Sequence, residues 1–138
     1  MMDRERVLKK ISYIREQVAS IRELLLSREK DDILNNPWLV RGIKYALQTA
    51  IEAVIDIAYH ISAQKYFRAP QDARQAMQIL AENKVISQER MVVYSSMIGL
   101  RNRIVHGYQD VSGERLYEIL INHLDDLERF ICEIKPLL

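Results

Sequence analysis

The segment RNRIVHGY, residues 101–108, places two arginines, a histidine and a tyrosine at the end of an apolar stretch. Guanidinium groups bind phosphate through paired donors and stay charged at every relevant pH. A histidine near neutrality can take a proton from a ribose 2′-hydroxyl or give one to a leaving oxygen. Arg101 and His106 therefore have the chemistry to cleave RNA without a metal. The alternative is an ordinary helix end, whose charged side chains satisfy terminal carbonyls and the helix dipole.

Helical geometry decides whether the two groups can meet. Five residues turn a helix by about 140° and advance it by about 7.5 Å. An arginine side chain is long and flexible, so the guanidinium of Arg101 and the imidazole of His106 can contact the same ligand. Gly107 is the expected end of the helix because glycine accepts the left-handed conformation without a side-chain clash. That position allows His106 to project into a cleft.

Other polar residues have weaker claims to chemistry. Glu52 and Asp56 lie four apart and share a helix face, but such a pair is more typical of a solvated edge or an interface than of a metal site. His60 is expected to be a hydrogen-bonded interface histidine, and His123 to pack at a helix edge. Cys132 is expected to be a small buried hydrophobe. No cofactor and no metal site are expected, because the histidines are far apart and cysteine occurs once.

The hydrophobic spacing predicts helices throughout the chain. We expect a single domain, 1–138, that forms an all-α antiparallel bundle of about five helices with short loops. The predicted long helices are 3–26, 37–66, 72–83, 88–107 and 113–134, with a short helical turn within 28–34. The predicted helix N-caps are Asp3, Asn36, Ser87 and Ser112. The wide apolar face of 37–66 indicates a central helix.

The bulk composition sets the class of protein. The chain has 138 residues with a net charge of +1, so it carries no overall polyanion-binding signal. No window approaches the roughly 18 uninterrupted apolar residues of a membrane span. A single cysteine fits a reducing compartment. We therefore expect a cytoplasmic protein with no membrane partner.

The order of the polar residues resembles a known family. Arg101, His106 and Tyr108 form an R-x4-H-x-Y pattern near the end of the penultimate predicted helix, and Asn102 follows the motif arginine. This pattern resembles that of the HEPN superfamily, specifically the HepT-like toxins. The preceding MVVYSSMIGLRN resembles the approach to the motif in that family, and LQTAIEAVIDIAYHI resembles its central helix. The resemblance extends over most of the chain.

The resemblance implies a function and partners. HepT-like proteins are toxins of type VII-like toxin–antitoxin systems, described as metal-independent endoribonucleases that act as homodimers with both motifs at a shared cleft. A minimal nucleotidyltransferase neutralises them by transferring AMP from ATP to the motif tyrosine. Carried over, Arg101 and His106 are catalytic, Asn102 and Arg103 support them, and Tyr108 accepts AMP. The alternative is a non-catalytic HEPN subunit that binds a nucleotide or partner in a nucleotidyltransferase complex; a helical interaction domain is a third possibility.

Overall fold

The computed structural model describes residues 2–107 and 111–138, and every regular element in those ranges is helical. The predicted all-α class is therefore confirmed. Seven α-helices are described, and a single 3-10 turn at Lys135–Leu137 follows the last of them. Their bounds are α1 Arg4–Ser27, α2 Lys30–Leu34, α3 Pro37–Tyr66, α4 Ala73–Glu82, α5 Gln88–His106, α6 Gly113–Asn122 and α7 Asp125–Ile134.

The predicted helix starts are formed by side-chain caps. Each predicted cap side chain accepts a hydrogen bond from a backbone amide in the first turn of its helix, which satisfies donors that have no partner within the helix. These caps are Asp3, Asn36, Ser87 and Ser112. Because every cap occupies the expected position, α1, α3, α5 and α6 begin within one residue of their predicted starts.

Helix α3 is the centre of the molecule. It packs against α1, α2, α4, α5 and α7. Its inward side buries apolar residues along most of its length, from Ile43 through Leu47, Ile51 and Val54 to Ile61. Burial of this kind contributes about 25 cal/mol per Å² of apolar surface removed from water, and α3 supplies more buried residues than any other described helix. The central position predicted for this helix is confirmed.

Side-chain pairs show that α1 runs antiparallel to α3. The Asp3 amide donates to His60 Nε2 at 3.0 Å, and Lys10 pairs with Asp56 at 3.0 Å. Further along α1, the Tyr13 hydroxyl donates to Thr49 Oγ1 at 2.8 Å. Residue numbers rise along α1 while they fall along α3, so the two longest helices lie side by side in opposite directions.

The last predicted helix, 113–134, is wrong as a single element. The chain forms α6 and α7 instead, with the break at His123 and Leu124. Acidic side chains favour helix N-termini because they offset the partial positive charge there. Asp125 and Asp126 lie in the first turn of α7, and Asp126 also pairs with Arg90 of α5. The apolar spacing continues across the break, which is why periodicity alone predicted one helix.

The structure gives the positions of Cys132 and His123, for which the sequence made predictions. Cys132 is exposed, so its assignment as a buried hydrophobe is wrong. The inward side of α7 is formed by Leu127, Ile131 and Ile134. Cys132 follows Ile131, and the helix turns by about 100° per residue, so the Cys132 side chain is directed away from that side. His123 lies at the break between α6 and α7, with its Nδ1 3.2 Å from Asp126 Oδ2.

Within residues 2–107 and 111–138, no helix combines the length and apolar character needed to cross a membrane. The cytoplasmic location expected from the sequence stays a prediction.

Candidate active site

Helix α5 carries the motif and is anchored by Tyr94. This side chain is fully buried, and its ring lies 5.2 Å from the ring of Phe130 in an edge-to-face arrangement. Its hydroxyl donates a hydrogen bond to the carboxylate of Glu133 in α7. Burial, followed by the Glu133 contact, raises the pKa of Tyr94 well above its usual range, so the phenol stays protonated and remains a donor. The contact holds α5 at a set position against α7.

Arg101 is held by a carboxylate of the central helix. Its Nε and Nη2 atoms donate to the same oxygen of Glu52, Oε2, at 3.1 and 2.6 Å. Its Nη1 donates to Asn102 Oδ1 at 3.2 Å. The Arg101 and Glu52 side chains are 29% and 32% exposed, so the guanidinium is oriented but still open to solvent. The sequence left the role of Glu52 open, and no local spacing could reveal a partner 49 residues away.

Arg101 and Asn102 lie in one open groove of about 670 Å³ between α3, α4 and α5. Glu52 and Asp56 line the same groove, as their shared helix face predicts. Asp56 is paired with Lys10, which makes it an edge contact between α1 and α3. In the described residues, no cluster of three or more acidic, histidine or cysteine side chains has metal-binding geometry.

Arg103 lies on the other side of α5. Two residues turn a helix by about 200°, so Arg101 and Arg103 face nearly opposite directions. Arg103 lines a second open groove, of about 830 Å³, together with Arg74 of α4. Arg74 is the one described residue that lines both grooves. The structure thus separates Arg103 from the pair formed by Arg101 and Asn102.

His106 is the last residue of α5 and is exposed. It lines neither of these two grooves, so the described chain does not bring it together with Arg101 in one groove. Gly107 ends the helix in the left-handed conformation, with φ of 67°, as predicted. The predicted AMP acceptor, Tyr108, lies outside the described residues. Chemically, the described site combines an oriented guanidinium with an exposed imidazole at the end of the same helix.

The sequence and the fold match those of known proteins. The model of the HepT-like ribonuclease family matches residues 14–134, which include α2 to α7 and most of α1. The chain belongs to the HepT-like ribonuclease family. The family resemblance inferred from the R-x4-H-x-Y pattern is therefore confirmed.

Members of this family and their structures show similarity over most of the chain. An mRNA nuclease HepT from Shewanella oneidensis is 40% identical over 89 residues, or 64% of this chain and 67% of that protein. The structure of a tri-AMPylated HEPN toxin of the same organism, in complex with an MNT antitoxin, gives a TM-score of 0.88 at 30% identity, covering 97% of this chain and 99% of the toxin. A toxin–antitoxin structure with AMP-PNP gives 0.84 at 29% identity, covering 96% and 100%.

Proposed function

We propose that this chain is the toxin of a toxin–antitoxin pair and that it cleaves RNA with Arg101 and His106. The observation that carries the proposal is the fixed orientation of Arg101 in an open groove, by Glu52 and Asn102, in a protein of a ribonuclease family. An oriented guanidinium stabilises charge that develops on phosphate in the transition state, because it needs little reorganisation during the reaction.

The proposed reaction requires one proton acceptor and one phosphate binder. The 2′-oxygen of a ribose attacks the adjacent phosphorus, and His106 takes the proton of that hydroxyl. The bond from phosphorus to the 5′-oxygen breaks, and the leaving oxygen takes a proton from water, while His106 releases its proton to solvent. Arg101 binds the non-bridging oxygens as negative charge builds up on them. The products are a 2′,3′-cyclic phosphate and a 5′-hydroxyl, and the step uses no metal.

A homodimer is part of the proposal because Arg101 and His106 share neither of the two grooves formed by the described residues. Arg101 lies in its groove while His106 lies at the exposed end of α5. A second copy of the chain would place two motifs at a shared cleft. An exposed apolar side chain on the Arg101 side of α5 supports this arrangement, since Val105 lies four residues after Arg101 and is 41% exposed. A twofold interface would remove it from water. Sedimentation at micromolar concentration tests it, since a monomer would contradict the proposal.

The proposed partner is a minimal nucleotidyltransferase that modifies Tyr108. The tyrosine oxygen attacks the α-phosphorus of ATP, an oxygen–phosphorus bond forms, and pyrophosphate leaves. Each AMP group would put a negative phosphate within reach of the motif, where it competes with RNA for Arg101. Support comes from the Shewanella neighbour, a tri-AMPylated toxin in complex with its antitoxin. Mass gains in AMP units that disappear in Tyr108→Phe would support this step, and gains retained in that variant would refute it.

Cleavage of RNA in the presence of EDTA tests the catalytic assignment. The parent should produce 2′,3′-cyclic ends, and His106→Ala should lower the rate by roughly 10²–10⁴-fold, the usual contribution of a general acid or base. His60→Gln is the matched histidine control, because the described hydrogen bond of His60 is the one it accepts from the Asp3 amide, and glutamine can replace that acceptor. Equal rates for His106→Ala and the parent would show that the assignment is wrong.

A second function is favoured by one observation. The Glu52 carboxylate offsets much of the positive charge of Arg101. A module that only binds a nucleotide or a partner can function with this reduced charge, because it does not have to stabilise a transition state. In that case the chain would serve as the binding subunit of a nucleotidyltransferase complex. Expression experiments separate the two functions. Growth arrest that is lost in Arg101→Ala, and relieved by the partner, supports the toxin; binding of ATP or RNA without cleavage supports the module.

A further inference from the structure

Arg74 and Arg103 converge over a single glycine of α5. Arg74 Nη2 lies 3.4 Å from the point that a Cβ atom at Gly99 would occupy, and Arg103 Nη1 lies 4.0 Å from that point. Gly99 and Arg103 are four apart and share a face of the helix. Since Gly99 has no side chain, the arginine of α4 can lie directly on α5 beside the arginine of α5 itself.

These two arginines differ from the others in the same groove. Four arginines line the 830 Å³ groove. Arg90 and Arg115 are paired with carboxylates of α7 and α6. Arg74 and Arg103 are exposed, and neither guanidinium makes a hydrogen bond or an ion pair within the described part of the chain. Two neighbouring positive charges that pair with no described carboxylate attract an anion, and guanidinium groups suit phosphate because they donate in pairs.

The position of Arg74 connects this pair to the motif. Arg74 lines the motif groove as well, where Arg101 and Asn102 lie. An RNA strand whose scissile phosphate contacts Arg101 could therefore also contact the positive charges of Arg74 and Arg103 on the other side of α5. We propose that Arg74 and Arg103 form a phosphate subsite that binds the RNA backbone beside the scissile bond. This subsite rests on the proposed ribonuclease function and names a part of its substrate contact.

Binding measurements in an inactive background test the subsite. In His106→Ala, the affinity for a labelled single-stranded RNA is measured by fluorescence anisotropy over a range of KCl concentrations. Arg74→Gln should raise the Kd roughly tenfold, the effect of losing one hydrogen bond to a charged group. The slope of log K against log salt should fall by about 0.7 for one lost phosphate contact on a single strand. Arg129→Gln is the control, since Arg129 is exposed on α7 and lines neither groove.

A second variant tests the geometry and not only the charge. Gly99→Leu keeps both arginines but fills the space at Gly99 beside which both guanidinium groups lie, so it should also weaken RNA binding. Circular dichroism would verify that α5 is retained, as leucine is a good helix former. A Kd within twofold of the background and an unchanged salt slope, in Arg74→Gln or in Gly99→Leu, would overturn the subsite. Failure of the ribonuclease proposal is distinct, because the parent would then bind RNA without cutting it.

Discussion

Replacing Glu52 by glutamine should slow RNA cleavage without weakening RNA binding. In the structure, one carboxylate oxygen of Glu52 accepts hydrogen bonds from two Arg101 donors, at 3.1 and 2.6 Å. A glutamine carbonyl can accept from the same donors, but it lacks the charge that holds the guanidinium in one orientation. RNA should bind equally well or more tightly in the ground state, because no carboxylate then offsets the positive charge of Arg101. The transition state should lose stabilisation because Arg101 must then be oriented during the reaction.

The magnitude follows from the hydrogen bonds and the exposure of the pair. Hydrogen bonds to charged groups contribute about 1.5–3 kcal/mol, and solvent weakens them at a site where both side chains are about a third exposed. We therefore expect Glu52→Gln to lower the free energy of unfolding by about 1–2 kcal/mol. A similar loss in the transition state lowers kcat by roughly tenfold, since about 1.4 kcal/mol corresponds to a factor of ten.

Asp56→Asn is the matched control for this prediction. Asp56 lies one turn further along α3, lines the same groove, and pairs with Lys10 at the surface, with side chains 51% and 39% exposed. Exposed pairs contribute about 0–1 kcal/mol, so this variant should change unfolding and kcat little. The assays are single-turnover cleavage of labelled RNA in EDTA and denaturant unfolding. Faster cleavage by Glu52→Gln would refute the orienting role and show that Glu52 masks Arg101 instead.

Three further predictions concern stability. Gly42→Ala should raise the free energy of unfolding by about 0.8–1 kcal/mol, because Gly42 lies inside α3 and a Cβ there meets open space. Gly107→Ala should lower it by about 1–2 kcal/mol, because φ of 67° is unfavourable for alanine, and denaturant titration of both variants tests the pair. Burial, followed by the charge of Arg6, lowers the pKa of His60 below its unfolded value. The contribution of neutral His60 to the free energy of unfolding should therefore be fully present above about pH 6.5 and be lost as pH falls through the folded pKa. Acid unfolding of His60→Gln should lack that loss; an unchanged pH dependence would contradict the assignment.

Local signals were sufficient for the helices because their causes lie within a few residues. Caps such as Asp3 and Asn36 bind amides two or three positions away, and an apolar period of three to four residues marks the buried face. The same signals failed at His123 and Leu124. There the apolar period continues while the chain turns, and the two aspartates that begin α7 find their partners, Arg22 and Arg90, on α1 and α5.

For the site, the amino-acid sequence determined which groups are present and their order along α5, because the R-x4-H-x-Y pattern is local. The tertiary structure decided what those groups contact. Glu52 orients Arg101 from a position 49 residues earlier, and Arg74 joins Arg103 from another helix through the space above Gly99. Such partners depend on how helices pack, and ion pairs between distant residues have no period in the sequence. Packing also separated Arg103 from Arg101, because two residues of helix turn them to opposite grooves.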